Sequence, residues 1–220
     1  NTMHIIGRYL LSFFLFIFLG YKTGFGNPPD LTNAVAKNSS EICPLLVGAP
    51  LPDLKLSTAG GEVFDVNQAI SQSPAVLIFY RGGWCPYCNL HLAELKNIED
   101  ELIQMGYQII AVSMDRPSIL RESLQKHNLN YTLLSDSAAV AAKAFGIAFK
   151  AGDDYVDKLK SYDMDLEQAS GRQHHILPVP AAFIIDTKGV IKFKYVNPDY
   201  KVRINADVLL AAAKAFITEE

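Results

Sequence analysis

Apolar runs alternate with amphipathic stretches through most of the chain, and this alternation predicts strands and helices in turn. Two runs, residues 75–80 and 107–113, are almost wholly apolar, as is typical of central strands that are covered on both faces. Between them, apolar residues recur every three or four positions from 86 to 105, which predicts an amphipathic helix. A strand, a helix and a second strand are therefore expected in the middle of the chain.

The same patterns extend this arrangement on both sides. Residues 147–178 carry mixed charge, interrupt the rhythm and are interpreted as an insertion with a helix around Tyr155. Strands alternating with helices, followed by a hairpin and a last helix, predict an α/β three-layer sandwich with a mixed central sheet. The remaining predicted strands are 51–56, 63–66, 131–134, 181–185 and 190–195, and the remaining helices are 67–73, 117–127, 138–145 and 202–217.

The N-terminal segment has the pattern of a targeting sequence. Arg8 precedes an uncharged apolar run at 9–19, which is shorter than the roughly 20 residues of a bilayer span and suits the core of a signal peptide. We expect a signal peptide or membrane anchor at 1–26, a linker at 27–42 and one domain at 43–220. The segment therefore predicts an exported protein that is either periplasmic (extracytoplasmic) or associated with the membrane through this segment.

Composition narrows the function classes. With 220 residues, half of them apolar, the chain can bury a large core, and a net charge of -3 gives no electrostatic basis for nucleic-acid binding. Three cysteines are too few for a disulfide-stapled scaffold, and a zinc site would need a second Cys-x-x-Cys pair. We expect no metal and no cofactor beyond a redox-active disulfide.

The sequence Trp84-Cys85-Pro86-Tyr87-Cys88 carries the chemistry. Proline favours the first position of a helix, so Cys85 is predicted at the N-cap and Cys88 in the first turn. The positive end of the helix stabilises a thiolate at Cys85, and Cys88, three residues on, can attack a mixed disulfide formed there. This makes Cys85 the expected nucleophile and Cys88 the resolving thiol. A structural disulfide is the less favoured reading, because so small a loop constrains the unfolded chain little.

Three further residues were considered for supporting roles, and one of them is expected to have no role. Arg81 follows a buried strand at the edge of the sheet where ligands gather in α/β folds, although a solvated loop arginine fits the pattern equally well. Trp84 is expected to shield and shape the site beside the thiols. Cys43 lies far away in the sequence and is expected to be incidental.

The chain resembles the thioredoxin-fold superfamily, and within it the peroxiredoxin-like branch of alkyl hydroperoxide reductases and thiol-specific antioxidant proteins (AhpC/TSA). Residues 47–53 resemble the entry strand of that branch, and 183–189 resemble its later hairpin. Phe79 and Tyr80, followed by Cys88, match the spacing of its active-site signature. The resemblance covers about 43–220. It implies N-terminal strands of the peroxiredoxin kind, Cys88 as the peroxidatic cysteine and a thioredoxin-type reductant.

The sequence departs from that family at its catalytic partners. Arg81 stands where peroxiredoxins have proline, Cys85 replaces a threonine, and Pro180 replaces an arginine that opens the later strand. Val179-Pro180 resembles instead the cis-proline loop of thioredoxins, which holds an incoming chain against the dithiol. Cys-Pro-Tyr-Cys itself resembles a glutaredoxin dithiol. The site therefore resembles a dithiol oxidoreductase on a peroxiredoxin-like scaffold, with the insertion placed before the cis-proline.

These observations lead to three hypotheses. The favoured one is an antioxidant thiol–disulfide oxidoreductase that cycles between a dithiol and a Cys85–Cys88 disulfide, with a protein thiol or disulfide as substrate. The alternative is a thiol-dependent peroxidase, in which one thiolate attacks hydrogen peroxide or an alkyl hydroperoxide and the other thiol resolves the sulfenic acid. A non-catalytic redox sensor or binding module with a structural disulfide is the third.

Overall fold

The computed structural model describes residues 34–127 and 131–217. Their strands are β1 (Lys55–Thr58), β2 (Val63–Asp65), β3 (Ala75–Phe79), β4 (Gln108–Ser113), β5 (Thr132–Ser135), β6 (Ala148–Lys150), β7 (Ile176–Pro178), β8 (Ala181–Ile185) and β9 (Ile191–Val196). Their helices are α1 (Val66–Gln72), α2 (Pro86–Gln104), α3 (Pro117–His127), α4 (Val140–Ala144), α5 (Asp153–Lys160), α6 (Leu166–Ser170) and α7 (Ala206–Ile217).

Seven strands form one mixed sheet in the order β2-β1-β5-β4-β3-β8-β9. The central strand β3 runs parallel to β4, and β4 runs parallel to β5. β8 pairs antiparallel with β3, and β9 returns beside β8 as the predicted hairpin. The β1–β2 hairpin joins the other end through β5. The predicted mixed sheet with added N-terminal strands is confirmed.

Side chains of β3 alternate between two cores, one on each face of the sheet. Val76 and Ile78 lie in the core under α2, α3 and α7. Leu77 and Phe79 lie in the opposite core with α1, α4 and α5. Every residue of β3 is at most 1% exposed, as expected for a strand covered on both faces. The three predicted layers are therefore present.

Two predicted boundaries are wrong, and side-chain hydrogen bonds explain both. The strand predicted at 51–56 begins only at Lys55, the first residue of β1. Before it, the side chain of Asn67 accepts from the amide of Leu54 at 2.9 Å and donates to the carbonyl of Pro52 at 3.0 Å. These two bonds take the place of those that a neighbouring strand would make. The helix predicted from 202 begins with α7, because the Asn205 side chain accepts from the Asp207 amide at 2.8 Å and caps it. Residues 202–205 are left as a loop.

In the insertion, β6 pairs with β7 as a two-stranded ribbon, and α5 and α6 lie between these two strands in the sequence. Residues 34–42, part of the predicted linker, lie against this ribbon. The Ala36 amide donates to the Ala148 carbonyl at 2.9 Å, and the Lys150 amide donates to the Ala36 carbonyl at the same distance. The predicted signal peptide or anchor at 1–26 lies outside the described residues.

Candidate active site

The two cysteines stand at the start of α2, as predicted. Cys85 is its N-cap with extended backbone angles (φ -91°, ψ 113°), Pro86 opens the helix, and Cys88 lies in the first turn. Both are free thiols, 2% and 0% exposed. The Cys85 side chain makes no capping hydrogen bond at ordinary distance, and the backbone amide of Cys88 is only a minor cause of its low pKa.

The thiol of Cys88 is the first cause of that acidity. It donates a hydrogen bond to the Cys85 sulfur, and this bond, assisted by the positive charge of Arg81, lowers the pKa of Cys85 to about 6 despite burial. Burial raises the pKa of Cys88 well above its ordinary value. The pair therefore holds one thiolate near neutral pH, on Cys85, and one proton, on Cys88.

Two donors point at Cys88. The backbone amide of Arg81 lies 3.4 Å from its Sγ, and Nη2 of Arg203 lies 3.5 Å from the same atom. Arg203 comes from the loop between β9 and α7, 115 residues further along the chain. No pattern in the sequence distinguished this arginine from other loop arginines.

Arg81 is buried in a cage of three aromatic rings. It is therefore not the solvated loop arginine that the sequence equally allowed. Its guanidinium carbon lies 4.8 Å from the ring centre of Trp84, 5.5 Å from that of Tyr155 and 4.2 Å from that of Tyr200. Nη2 donates to the Tyr155 hydroxyl, while Nε has no partner in the described structure. Tyr200 also packs edge-on against Tyr87, with ring centres 5.7 Å apart. Tyr155 and Tyr200 were not predicted as site residues.

Two cavities meet at this cage. The smaller, about 150 Å³, is lined by Cys85 together with Trp84, Pro86 and Tyr87. The larger, about 370 Å³, is lined by apolar residues of the insertion and by Pro180, with two lysines, Lys37 and Lys150. Both are also lined by Arg81, Tyr155 and Tyr200. Cys43 is exposed and lines neither cavity.

The predicted cis-proline is wrong. Among the described residues no peptide bond is cis, and the bond before Pro180 is trans. The Val179 amide donates to the Ile147 carbonyl at 2.8 Å, and β8 begins directly after Pro180. The chain passes extended from β7 into β8, so Pro180 forms a cavity wall.

A buried carboxyl group holds the loop before Cys85 in place. Oδ2 of Asp115 accepts from the Gly83 amide at 2.6 Å, and burial raises the pKa of Asp115 to about 7. A Cβ at Gly82 would lie 2.3 Å from Nε1 of Trp84 and 2.6 Å from Oδ1 of Asp115, which is too close for any side chain. Glycine at 82 is therefore required for Trp84 and Asp115 to pack together.

Comparisons with known proteins show which family the chain is similar to. The model of the AhpC/TSA family matches residues 47–194. Peroxiredoxin Bcp of Escherichia coli is 30% identical over 172 residues, covering 76% of this chain and 94% of the relative. Chloroplastic peroxiredoxin Q of Populus jackii is 21% identical, covering 82% and 74%. A solved structure of reduced Prx3 from Vibrio vulnificus in complex with hydrogen peroxide covers 77% of this chain and 99% of its own, at 22% identity and a TM-score of 0.63.

The comparisons also correct the expected location. No helix in the described ranges is long and apolar enough to cross a membrane. The prediction of an exported or membrane-associated protein is wrong, since the similarity to Bcp peroxiredoxins contradicts it, and nothing in the comparisons supports a signal peptide. The family match covers most of the chain, its sequence relatives are peroxiredoxins, and the sheet agrees with theirs in fold. The chain belongs to the AhpC/TSA family and is a peroxiredoxin-like oxidoreductase with a thioredoxin fold.

Proposed function

We propose that the protein is a thiol-dependent peroxidase that reduces hydrogen peroxide and alkyl hydroperoxides through the Cys85 and Cys88 thiols. One observation carries this proposal: an acidic thiol lines a small cavity, with a second thiol hydrogen-bonded to it. Membership of a peroxiredoxin family favours a peroxide as the oxidant over a protein disulfide. Cys85, which lines the cavity, is the attacking sulfur, and Cys88, which has no exposed surface, is the resolving one.

In the first step, the Cys85 thiolate attacks one oxygen of the peroxide. A sulfur–oxygen bond forms and the oxygen–oxygen bond breaks, so the sulfur is oxidised to a sulfenic acid and the peroxide is reduced. The departing hydroxide or alkoxide takes up a proton from solvent, equivalent to the one that Cys85 released on ionising, and leaves as water or alcohol. Arg81 lines the cavity with an unpartnered Nε, and its charge stabilises the anion as it forms.

In the second step, the Cys88 sulfur attacks the Cys85 sulfur. A disulfide forms, the sulfur–oxygen bond breaks, and the hydroxyl group leaves with the Cys88 proton as water. A dithiol partner of the thioredoxin type then reduces the disulfide and becomes oxidised itself, which returns both cysteines to thiols. The sum is one peroxide and one partner dithiol converted to alcohol, water and partner disulfide.

The larger cavity supports organic hydroperoxides as substrates. It adjoins the Cys85 cavity at Arg81, Tyr155 and Tyr200, and its volume of about 370 Å³ falls in the range of small-molecule pockets. The alkyl group of a hydroperoxide fits there while its oxygens face Cys85. Hydrogen peroxide needs only the smaller cavity.

Single-turnover oxidation of the reduced protein tests the proposal, with hydrogen peroxide and cumene hydroperoxide as oxidants. The wild type is expected to form the Cys85–Cys88 disulfide far faster than a free thiolate reacts. Cys88→Ser is expected to stop at a sulfenic acid on Cys85, and Cys85→Ser to lose fast oxidation. A sulfenic acid on Cys88 in Cys85→Ser, formed at the wild-type rate, would reverse the two roles. Oxidation of the wild type no faster than a free thiolate would remove peroxidase activity altogether.

Thiol–disulfide exchange with a protein is the second candidate, because the Cys-Pro-Tyr-Cys dithiol starts a helix. Reduction of insulin by the wild type and by Cys88→Ser separates the two. The nearly complete burial of both sulfurs leads us to expect slow insulin reduction beside fast peroxide reduction. The third hypothesis, a non-catalytic module with a structural disulfide, is tested by measuring the reduction potential of the Cys85–Cys88 pair. A purely structural disulfide would have a potential below about -300 mV.

A further inference from the structure

We infer that Arg203 is a catalytic residue of the second step, in which it holds the Cys88 sulfur and stabilises the negative charge that develops there. This inference rests on the proposed peroxidase cycle. Its basis is direct contact, since Nη2 of Arg203 lies 3.5 Å from Sγ of Cys88. The resemblance of the sequence to peroxiredoxins gives no reason to select this residue, because the arginine expected from that family aligns with Pro180.

Backbone carbonyls fix the orientation of the Arg203 side chain. Its Nη1 donates to the carbonyls of Tyr200 and Val202, the second at 3.2 Å, so one side of the guanidinium group is tied to its own loop. The other side is thereby directed at Cys88. The loop exists because Asn205 delays the start of α7, and this leaves Arg203 free of the helix.

The charge of Arg203 is available to the sulfur. His91, one turn beyond Cys88 on α2, is a titratable neighbour, and burial together with the charge of Arg203 lowers its pKa to about 4, so it is neutral near pH 7. Nε of Arg203 has no partner in the described structure. No carboxylate within 34–127 or 131–217 forms a salt bridge with it in the structure. An unneutralised cation beside a buried thiol lowers the cost of ionising that thiol.

The two arginines are thus assigned to different steps. The guanidinium group of Arg81 is held by the aromatic cage and lines the cavity with Cys85, and only its backbone amide reaches Cys88. Arg203 lines neither of those cavities and reaches Cys88 with its side chain. Cys88 must carry negative charge only when it attacks the oxidised Cys85. Because the charge of Arg203 is only the smallest of the causes that lower the pKa of Cys85, loss of Arg203 should slow resolution much more than the first attack.

A single-turnover experiment with a sulfenic-acid trap tests this assignment. Reduced wild type, Arg203→Met and Arg203→Lys are mixed with one equivalent of hydrogen peroxide, quenched with dimedone at successive times and analysed by mass spectrometry. Arg203→Met is expected to consume peroxide within about twofold of wild type and to hold the Cys85 sulfenic acid about tenfold longer or more, as for the loss of one charge-stabilising donor. Arg203→Lys should recover part of the rate, since it keeps the charge without the planar fork.

Excess peroxide gives a second readout. A longer-lived sulfenic acid is oxidised further, so Arg203→Met should accumulate Cys85 sulfinic acid under conditions in which the wild type does not. Arg116→Met, which removes the same charge from an exposed position, is the matched control and should behave as wild type. Disulfide formation in Arg203→Met at the wild-type rate would overturn the assignment.

A titration without peroxide keeps this inference separate from the proposed function. The ultraviolet absorbance of the Cys88 thiolate is followed against pH in Cys85→Ser and in the double variant Cys85→Ser/Arg203→Met, both in a Cys43→Ser background, so that Cys88 is the one thiol in the protein. A higher midpoint in the double variant supports the contact even if the wild type proves to have no peroxidase activity. Equal midpoints would refute it. Arg203→Gln in the same background, which also removes the charge, serves if the methionine variant does not fold.

Discussion

The guanidinium group of Arg81 stacks on the ring of Tyr200, with Cζ 4.2 Å from the ring centre. Tyr200 precedes Arg203 by three residues, and its carbonyl accepts a hydrogen bond from that second arginine. One loop therefore contributes an aromatic wall of the Cys85 cavity and, through Arg203, a donor to Cys88. The geometry of both thiols depends on this loop between β9 and α7.

The reactivity of Cys85 should depend on pH in a defined way. Because its pKa is about 6, its alkylation by iodoacetamide should rise as pH increases through 6 and level off above 7. The Cys88 hydrogen bond is the largest cause of this low pKa, so Cys88→Ala should move the midpoint upward by more than Arg81→Met does. All measurements use a Cys43→Ser background, since Cys43 is exposed. An unchanged midpoint in Cys88→Ala would contradict the assigned cause.

The larger cavity can be filled without disturbing the fold. Gly152 lines it with φ -68°, and a Cβ there would meet no atom within 4 Å. Gly152→Phe is expected to lower kcat/KM for cumene hydroperoxide by about tenfold, on the order of 1.4 kcal/mol, and to leave hydrogen peroxide reduction unchanged. Gly152→Ala is the matched control. An equal loss for both substrates would show that the cavity does not hold the alkyl group.

Asp115 should make the protein less stable as pH rises. Its pKa is raised from 3.8 to about 7 in the folded state, so between these values the folded protein holds a proton that the unfolded chain releases. The free energy of unfolding should therefore fall as pH increases from about 4 to 7. Asp115→Asn should flatten this part of the profile, measured by urea unfolding at a series of pH values. A profile as steep as that of the wild type would contradict the burial of an uncharged Asp115.

The aromatic centre of the core should be costly to remove. Phe145 lies with its ring centre 4.9 Å from that of Phe79 and 4.8 Å from that of Phe183, and it is fully buried. Phe145→Ala should lower the free energy of unfolding by about 3–5 kcal/mol, as cavity-forming substitutions do. Tyr162→Ala, at an exposed position, should change it by no more than about 0.5 kcal/mol. Urea unfolding compares the two.

Sequence patterns predicted the elements that depend on neighbouring residues in the chain, namely a buried strand, an amphipathic helix and its N-cap. The apolar run of β3, the three- and four-residue spacing of α2 and the N-cap position of Cys85 all appear where the sequence placed them. The start of β1 was missed because a side chain, Asn67, takes the place of a strand partner. Hydropathy carries no signal for such a bond.

The surroundings of the thiols were predicted less well, because they are assembled from distant segments. Tyr155 is 74 residues from Arg81 in the sequence, and Arg203 is 115 residues from Cys88. The cis-proline was inferred from a two-residue motif of another branch of the superfamily, and the direct passage from β7 into β8 removes the turn it would need. Residue type identified the thiols, and only the tertiary structure identified the groups that act on them.

Cys85 and Cys88 share one helical turn, and this has a consequence for crystals of the protein. Side chains three residues apart on a helix are already neighbours, so their sulfurs can join by rotation about the side-chain bonds alone. A lattice of the reduced protein is thus expected to tolerate soaking with peroxide and then with a small dithiol, with α2 intact throughout. Time-resolved diffraction from one crystal could then record the thiolate, the sulfenic acid and the disulfide in sequence.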